Sequence, residues 1–182
     1  MISSSCICSS AVPQPSPSYN GIFSSLKELY CFGCTSTKKL LPRVSLPRLE
    51  VIEVNNYEKM EKITERRSDN EGLIGEESSC SSSTTELKLP KLRELKLIEL
   101  PELKSIFSAK LICNSLKVIH IGNCEKLKRM PICLSFDESD YPSPHPSLHE
   151  IMVYPKEWWE TELDWEHPYA KNALRHVVNC YH

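Results

Sequence analysis

The chain has 182 residues, a formal net charge of −2 with histidine neutral, 13 prolines, 5 glycines and 9 cysteines. That length suits one domain with enough apolar content for a core, and the slightly acidic balance excludes a general nucleic-acid binder, which carries a basic patch or stripe. No apolar run reaches transmembrane length, scarce glycine argues against phosphate loops, and an odd cysteine count behind a start with no secretory signal does not describe a disulfide scaffold; reduced, mostly buried thiols in a cytosolic protein are expected.

Residues 1–20, rich in serine and proline, read as a flexible lead-in or inter-repeat loop. From Leu26 a pattern begins that is neither a strand's step of two nor a helix's blend of three and four. Steps of three, two, three, three and three lead from Leu26 to Leu29, Cys31, Cys34, Thr37 and Leu40, where only Thr37 breaks the apolar rule. The same steps lead from Leu49 to Ile52, Val54, Tyr57, Met60 and Ile63, and from Leu92 to Leu95, Leu97, Leu100, Leu103 and Ile106. They lead from Leu116 to Ile119, Ile121, Cys124, Leu127 and Met130, and from Leu148 to Ile151 and Val153, where the pattern stops. Pro47, Pro90 and Pro146 each stand two residues before a unit's first leucine. The starts are 23, 43, 24 and 32 residues apart, so the base period is 23 to 24, with insertions near 64–86 and 135–145.

This is the leucine-rich-repeat spacing at a permitted period. Each L-x-L centre predicts a short strand with alternate side chains inward, and the rest of each unit an irregular return arm. A single coil cannot bury its apolar face, so coils stack. The expected fold is an α/β repeat solenoid: a horseshoe fragment with short parallel strands on the concave face. The position that often carries Asn holds Cys34, Tyr57, Leu100 and Cys124, so no asparagine ladder is expected.

The repeats are expected over residues 21–157. The serine-rich, acidic segment Glu65–Glu86 reads as disorder or a mobile surface loop, and Phe136–Ser147 as a proline-rich loop. Residues 158–182 read as a C-terminal cap: Trp158, Trp159 and Trp165 cover the open end of the core, and Pro168 starts a short helix presenting Ala170, Leu174, Val177 and Val178 on one face. Nothing before Phe23 reads as a cover for the first strand, an arrangement expected of the C-terminal piece of a longer protein.

The sequence offers little for catalysis. Cys31 and Cys34 form a C-x-x-C, the spacing of a redox pair or half a zinc site, but both fall on the repeat's inward positions and no second pair follows. Cys6 and Cys8 lie in the lead-in, and His145, His149, His167, His176 and His182 lack a metal spacing. There is no nucleophile elbow. Glu157, Glu160 and Glu162 read as exposed charges beside the tryptophans, and the basic runs Thr37–Arg43 and Glu125–Met130 as solvated return arms. No catalytic residue, cofactor or metal is expected.

The stretches "LPRLEVIEVNNYEKMEKI", "LPKLRELKLIELPELKSI" and "NSLKVIHIGNCEKLKRMPICL", with the closing "PSLHEIMVYPKEWWETELDWEHPYAKNALR", resemble the C-terminal repeats of plant nucleotide-binding leucine-rich-repeat disease resistance proteins of the coiled-coil class. The resemblance covers about residues 20–178. It implies a cytoplasmic immune-receptor region that recognises a pathogen effector or a guarded host protein and helps hold the receptor off. The chain carries no G-x-x-x-x-G-K-[ST] phosphate loop and no coiled-coil heptads, so nucleotide switching and cell-death signalling are not implied for it.

Outward strand positions are the candidate site. Strand alternation makes these Glu28, Tyr30 and Phe32, then Val51, Glu53 and Asn55, then Glu94, Lys96 and Ile98, then Val118, His120 and Gly122, then Glu150, Met152 and Tyr154. From them Tyr30, Phe32, Glu53, Asn55, Lys96, Ile98, His120, Met152 and Tyr154 are the expected partner-binding residues, because apolar side chains at water-facing positions point to a protein partner. The expected partner is a pathogen effector, a guarded host protein or the nucleotide-binding domain of the same receptor, with no nucleic acid and no membrane insertion. Alternatives are a substrate adaptor of a ubiquitin ligase, which needs an F-box upstream, and a truncated repeat-only decoy.

Overall fold

The computed structural model describes residues 24–33, 38–41, 46–64, 86–107, 110–132, 134–165 and 167–181. The lead-in 1–20, Phe23, Cys34, Thr37 and nearly all of the serine-rich insertion lie outside the described residues.

Five strands occupy the five L-x-L centres: β1 (Glu28–Phe32), β3 (Val51–Asn55), β6 (Glu94–Ile98), β8 (Val118–Gly122) and β11 (Glu150–Tyr154). They pair in parallel, in that order. Their register matches the repeat, with Leu29 opposite Ile52, Ile52 opposite Leu95, Leu95 opposite Ile119 and Ile119 opposite Ile151. A sixth strand, β12 (Val178–Cys180), extends the sheet beside β11.

Each coil supplies one layer of the core. In the second unit Leu49, Ile52, Val54, Tyr57, Met60 and Ile63 are all buried, and the third repeats the set with Leu92, Leu95, Leu97, Leu100, Leu103 and Ile106. Fully burying such a side chain contributes roughly 1.5–3 kcal/mol, a gain available only when the next coil covers the layer. The sheet is therefore held by its neighbours along the stack.

The corners explain the remaining regularities. Leu46–Leu49, Leu89–Leu92, Cys113–Leu116 and His145–Leu148 close turns in which the last N–H donates to the first carbonyl, at 3.2, 3.2, 3.4 and 2.9 Å. Pro47, Pro90 and Pro146 take the second position of three of these turns, where a fixed φ near −65° is favoured. Just past β1, β3, β6 and β8 the backbone turns left-handed, with φ of 65° at Gly33, 59° at Asn56, 55° at Glu99 and 52° at Asn123. Each of these residues donates its N–H to the last carbonyl of the next strand, at 3.1, 3.0, 2.9 and 2.9 Å.

Three expectations need correction. The return arms are not wholly irregular: β2 (Lys39–Leu41) pairs with β4 (Lys62–Thr64), and β5 (Glu86–Lys88) with β7 (Lys110–Ile112), both in parallel. Stacking at a common period brings equivalent arm residues alongside one another as it does the main strands. The proline-rich segment is not a plain loop but a hairpin of β9 (Leu134–Phe136) and β10 (Pro142–Pro144). Its turn is organised by Asp137, whose carboxylate accepts the N–H groups of Ser139 and Tyr141 at 2.9 Å each. The C-terminal helix is shorter than expected: α1 spans Ala170–Leu174, and Val178 belongs to β12. Pairing with β11 satisfies the backbone there, and that outweighs the helical spacing of the valines.

Trp158 and Trp159 lie buried in a π-helical turn, Trp158–Glu162. The Trp158 Nε1–H donates to the Leu127 carbonyl at 2.9 Å, and Trp159 meets Trp165 edge to face at 4.9 Å between ring centroids.

Candidate partner-binding face

Alternation along each strand and parallel register between strands place the outward residues in three rows. The first row runs Glu28, Val51, Glu94, Val118, Glu150. The middle row runs Tyr30, Glu53, Lys96, His120, Met152 and continues to Asn179 of β12. The third runs Phe32, Asn55, Ile98, Gly122, Tyr154. All nine expected partner-binding residues thus come together on one sheet face, in the middle and third rows.

Tyr30, Phe32 and Tyr154 are 42%, 51% and 40% exposed, large values for aromatic rings in a sheet. Ile98, His120 and Met152 are half-buried among their row neighbours. Val51 and Gly122 are buried and form part of the floor.

Charge is concentrated in the first two rows. Lys96 Nζ lies 2.6 Å from Glu94 Oε1 and 3.7 Å from Glu53 Oε2. The hydrogen bond to Glu94 is the main reason its ammonium is held above the ordinary lysine value. Burial first, and the Lys96 charge second, push the His120 imidazole below its ordinary value. Burial and then Glu28, Glu53 and Glu94 raise the Tyr30 hydroxyl. Asn179 donates to Glu150 Oε1 at 2.9 Å, joining the sixth strand to the first row.

Several other cationic side chains make ion pairs away from this face. Lys38 and Lys104 flank Glu61 at 3.3 and 3.1 Å, Lys126 meets Glu102 at 2.6 Å, and Lys128 meets Glu162. Hydrogen bonding from Lys104, then Lys38, draws the Glu61 carboxyl below its usual range. Of the basic runs, Lys38 and Lys126 thus pair with carboxylates of neighbouring arms and Lys128 with the π-helical turn. Glu157, Glu160 and Glu162 are exposed; Glu160 lies 3.5 Å from Lys156.

Cys31 is a buried core residue. Cys124, 1% exposed, sits at the inward turn position, its thiol 3.5 Å from the Leu97 carbonyl and 3.4 Å from that of Gly122. Burial pushes this thiol up to about 12. Among the described residues no group of three His, Cys, Asp or Glu side chains is placed to hold a metal ion. No described helix is long and apolar enough to cross a membrane.

Sequence reasoning overlooked Asn179 as a member of the middle row, because the closing segment read as helix. It also passed over the left-handed corner, although Gly33, Asn56 and Asn123 are the residue types that favour it.

No solved structure matches the chain. Among curated proteins of Arabidopsis thaliana, "Disease resistance protein RPS5" is 30% identical over 144 residues, covering 79% of this chain and 14% of its own length. "Disease resistance protein UNI" is 28% identical over 160 residues, covering 87% of this chain and 16% of its own. "Disease resistance protein SUMM2" is 26% identical over 142 residues, covering 78% and 14%. The chain therefore spans about one-seventh of the length of these relatives. The family model described as "Plant disease resistance protein RPS2-like, leucine-rich repeats" matches residues 3–135. With leucine-rich coils stacked through one parallel sheet and that match over most of its length, the chain belongs to the leucine-rich-repeat family of plant disease resistance proteins.

Proposed function

We propose that this chain is the recognition and autoinhibitory repeat region of a plant intracellular immune receptor, a non-catalytic protein-interaction module acting in the cytoplasm. The stacked coils form a curved horseshoe fragment whose concave side is the six-stranded sheet. Residues 158–182 form its cap, a reading supported by the burial of Trp158 and Trp159 and the reach of Trp158 to the Leu127 carbonyl. The observation that carries the proposal is the convergence of Tyr30, Phe32, Ile98, Met152 and Tyr154 from three strands, β1, β6 and β11, onto one face. Water-facing apolar groups gathered in this way are hot-spot material for a protein partner. That partner is a pathogen effector, a guarded host protein or the receptor's own nucleotide-binding domain. The family match favours this reading over the ligase adaptor.

The test expresses the tagged chain in plant cells with the nucleotide-binding domain of a coiled-coil-class resistance protein. Capture is expected, and Ile98→Glu or Tyr154→Glu should weaken it about tenfold or more, the effect of losing a hot-spot contact. Equal capture by both variants would remove the strand face as the binding site.

A further inference from the structure

We infer that the strand face takes a basic, amphipathic helix of a protein partner, laid across the strands. This rests on the protein-binding reading above and adds the chemistry and shape of the occupant.

The face is divided by polarity. β1, β6 and β11 each begin with a glutamate and end with a large apolar residue: Glu28 with Phe32, Glu94 with Ile98, Glu150 with Tyr154. The intervening β3 and β8 lack both, placing Val51 and Val118 in the first row and Asn55 and Gly122 in the third. One long edge is therefore acidic and the other apolar, with each feature recurring on every second strand. Between them lie Glu53 and Lys96, so the face carries four carboxylates against one lysine ammonium. Its charge complements a cationic partner.

The spacing selects a helix. Neighbouring strands are about 4.8 Å apart, so every second strand repeats at about 10 Å. Seven residues of α-helix rise about 10.5 Å, so a heptad keeps pace with that repeat. An extended peptide places same-side residues about 7 Å apart and drifts out of step. Glutamate and apolar residue are four positions apart on each strand, about 13 Å, comparable to the roughly 10–12 Å width of a helix with its side chains. A helix lying across the strands thus presents one flank to each edge.

Gly122 provides the seat. It lies between Ile98 and Tyr154 in the third row, and a Cβ built on it would meet nothing nearer than 3.8 Å, at Ile98 Cγ2. With no side chain at Gly122 the third row dips between Ile98 and Tyr154, which lets an apolar side chain on the helix's uncharged flank approach the sheet there.

The test uses the full purified chain and three synthetic three-heptad helices followed by fluorescence anisotropy. One carries lysine on one flank and leucine on the other, the second has glutamate in place of lysine, and the third is a scramble of the first. The basic helix should bind in a salt-sensitive way, and the other two should not. Glu28→Gln with Glu150→Gln should weaken it about fivefold, the effect of two surface charge pairs; glutamine at 150 retains the oxygen that accepts from Asn179. Gly122→Leu should abolish binding while the far-ultraviolet circular dichroism stays unchanged. Equal binding of the basic and acidic helices, or indifference to the glutamine pair, would overturn the charge selection and leave the broader protein-binding reading intact. No binding of the basic helix, or binding unaffected by Gly122→Leu, would overturn the inference outright. The broader reading is judged separately, by capture of the nucleotide-binding domain.

Discussion

Glu99 is the least suitable of the four left-handed corner residues, and replacing it should stabilise the chain. Its φ is 55°, whereas the equivalent corners use Gly33, Asn56 and Asn123. A side chain in this conformation brings Cβ against the following carbonyl, at a cost of about 1–2 kcal/mol. Glycine removes the clash but loses more freedom on folding, about 0.5–1 kcal/mol. The difference leaves Glu99→Gly more stable by roughly 0.5–1 kcal/mol, and Glu99→Asn should gain a smaller part of that. The Glu99 side chain is exposed, so its removal forfeits little packing. Its N–H donates to the Gly122 carbonyl at 2.9 Å, a bond both replacements retain. Urea unfolding followed by circular dichroism measures the shift. Asn123→Ala, the converse change, should destabilise. If Glu99→Gly lowers the midpoint while Asn123→Ala leaves it unmoved, the corner is not left-handed and the reasoning fails.

Other outcomes follow from burial. Leu97→Ala, at a fully buried position, should cost about 2–5 kcal/mol in the same unfolding assay. Trp158→Phe should cost about 1–3 kcal/mol, because the Leu127 carbonyl loses its indole donor in a buried setting. The Cys124 thiol is raised from 9.0 to about 12 in the folded chain. Above about pH 9 the unfolded chain loses this proton while the folded chain keeps it, so stability should fall with rising pH across that window. Cys124→Ala should flatten this part of the profile, as unfolding midpoints measured at stepped pH would reveal.

Leucine periodicity was enough to locate the five main strands and to assign their outward residues, because a side chain two positions along a strand must return to the same face. It also marked Tyr57, Leu100 and Cys124 as inward, and all three are buried. It failed where long-range pairing overrides local pattern. Val178 has helical spacing from Leu174, yet β11 offers it an unpaired edge and it becomes strand. Pro142 and Pro144 read as loop, yet they sit in a two-stranded hairpin, where a residue without a donor is tolerated on an edge. The acidic first row was visible residue by residue, but its alternation with Val51 and Val118 has meaning only once neighbouring strands are in register.

The scaffold leaves the exposed positions of this face free to vary. Coils are joined largely by backbone bonds: Val51 and Glu50 donate to the Lys27 carbonyl, Arg93 and Glu94 to Glu50, Lys117 and Val118 to Arg93, and His149 and Glu150 to Lys117. A second series at the corners joins Asn56 to Ile98, Glu99 to Gly122 and Asn123 to Tyr154. Backbone bonds do not depend on which side chain stands at a position, proline excepted. The inward leucines hold the layers together, and their identities are constrained by packing. Apart from the buried Val51 and Gly122, the outward rows lie largely outside both constraints, and a tyrosine, a lysine, a histidine and a methionine follow one another in the middle row with glutamate between the first two. An alternation of glutamate and valine in one row, matched strand for strand by bulky apolar residues in another, is not required by this scaffold. That surplus order is the ground for proposing a partner at this face: exchanging the exposed Glu28 and Phe32 should leave the urea midpoint nearly unchanged and alter only what the face binds.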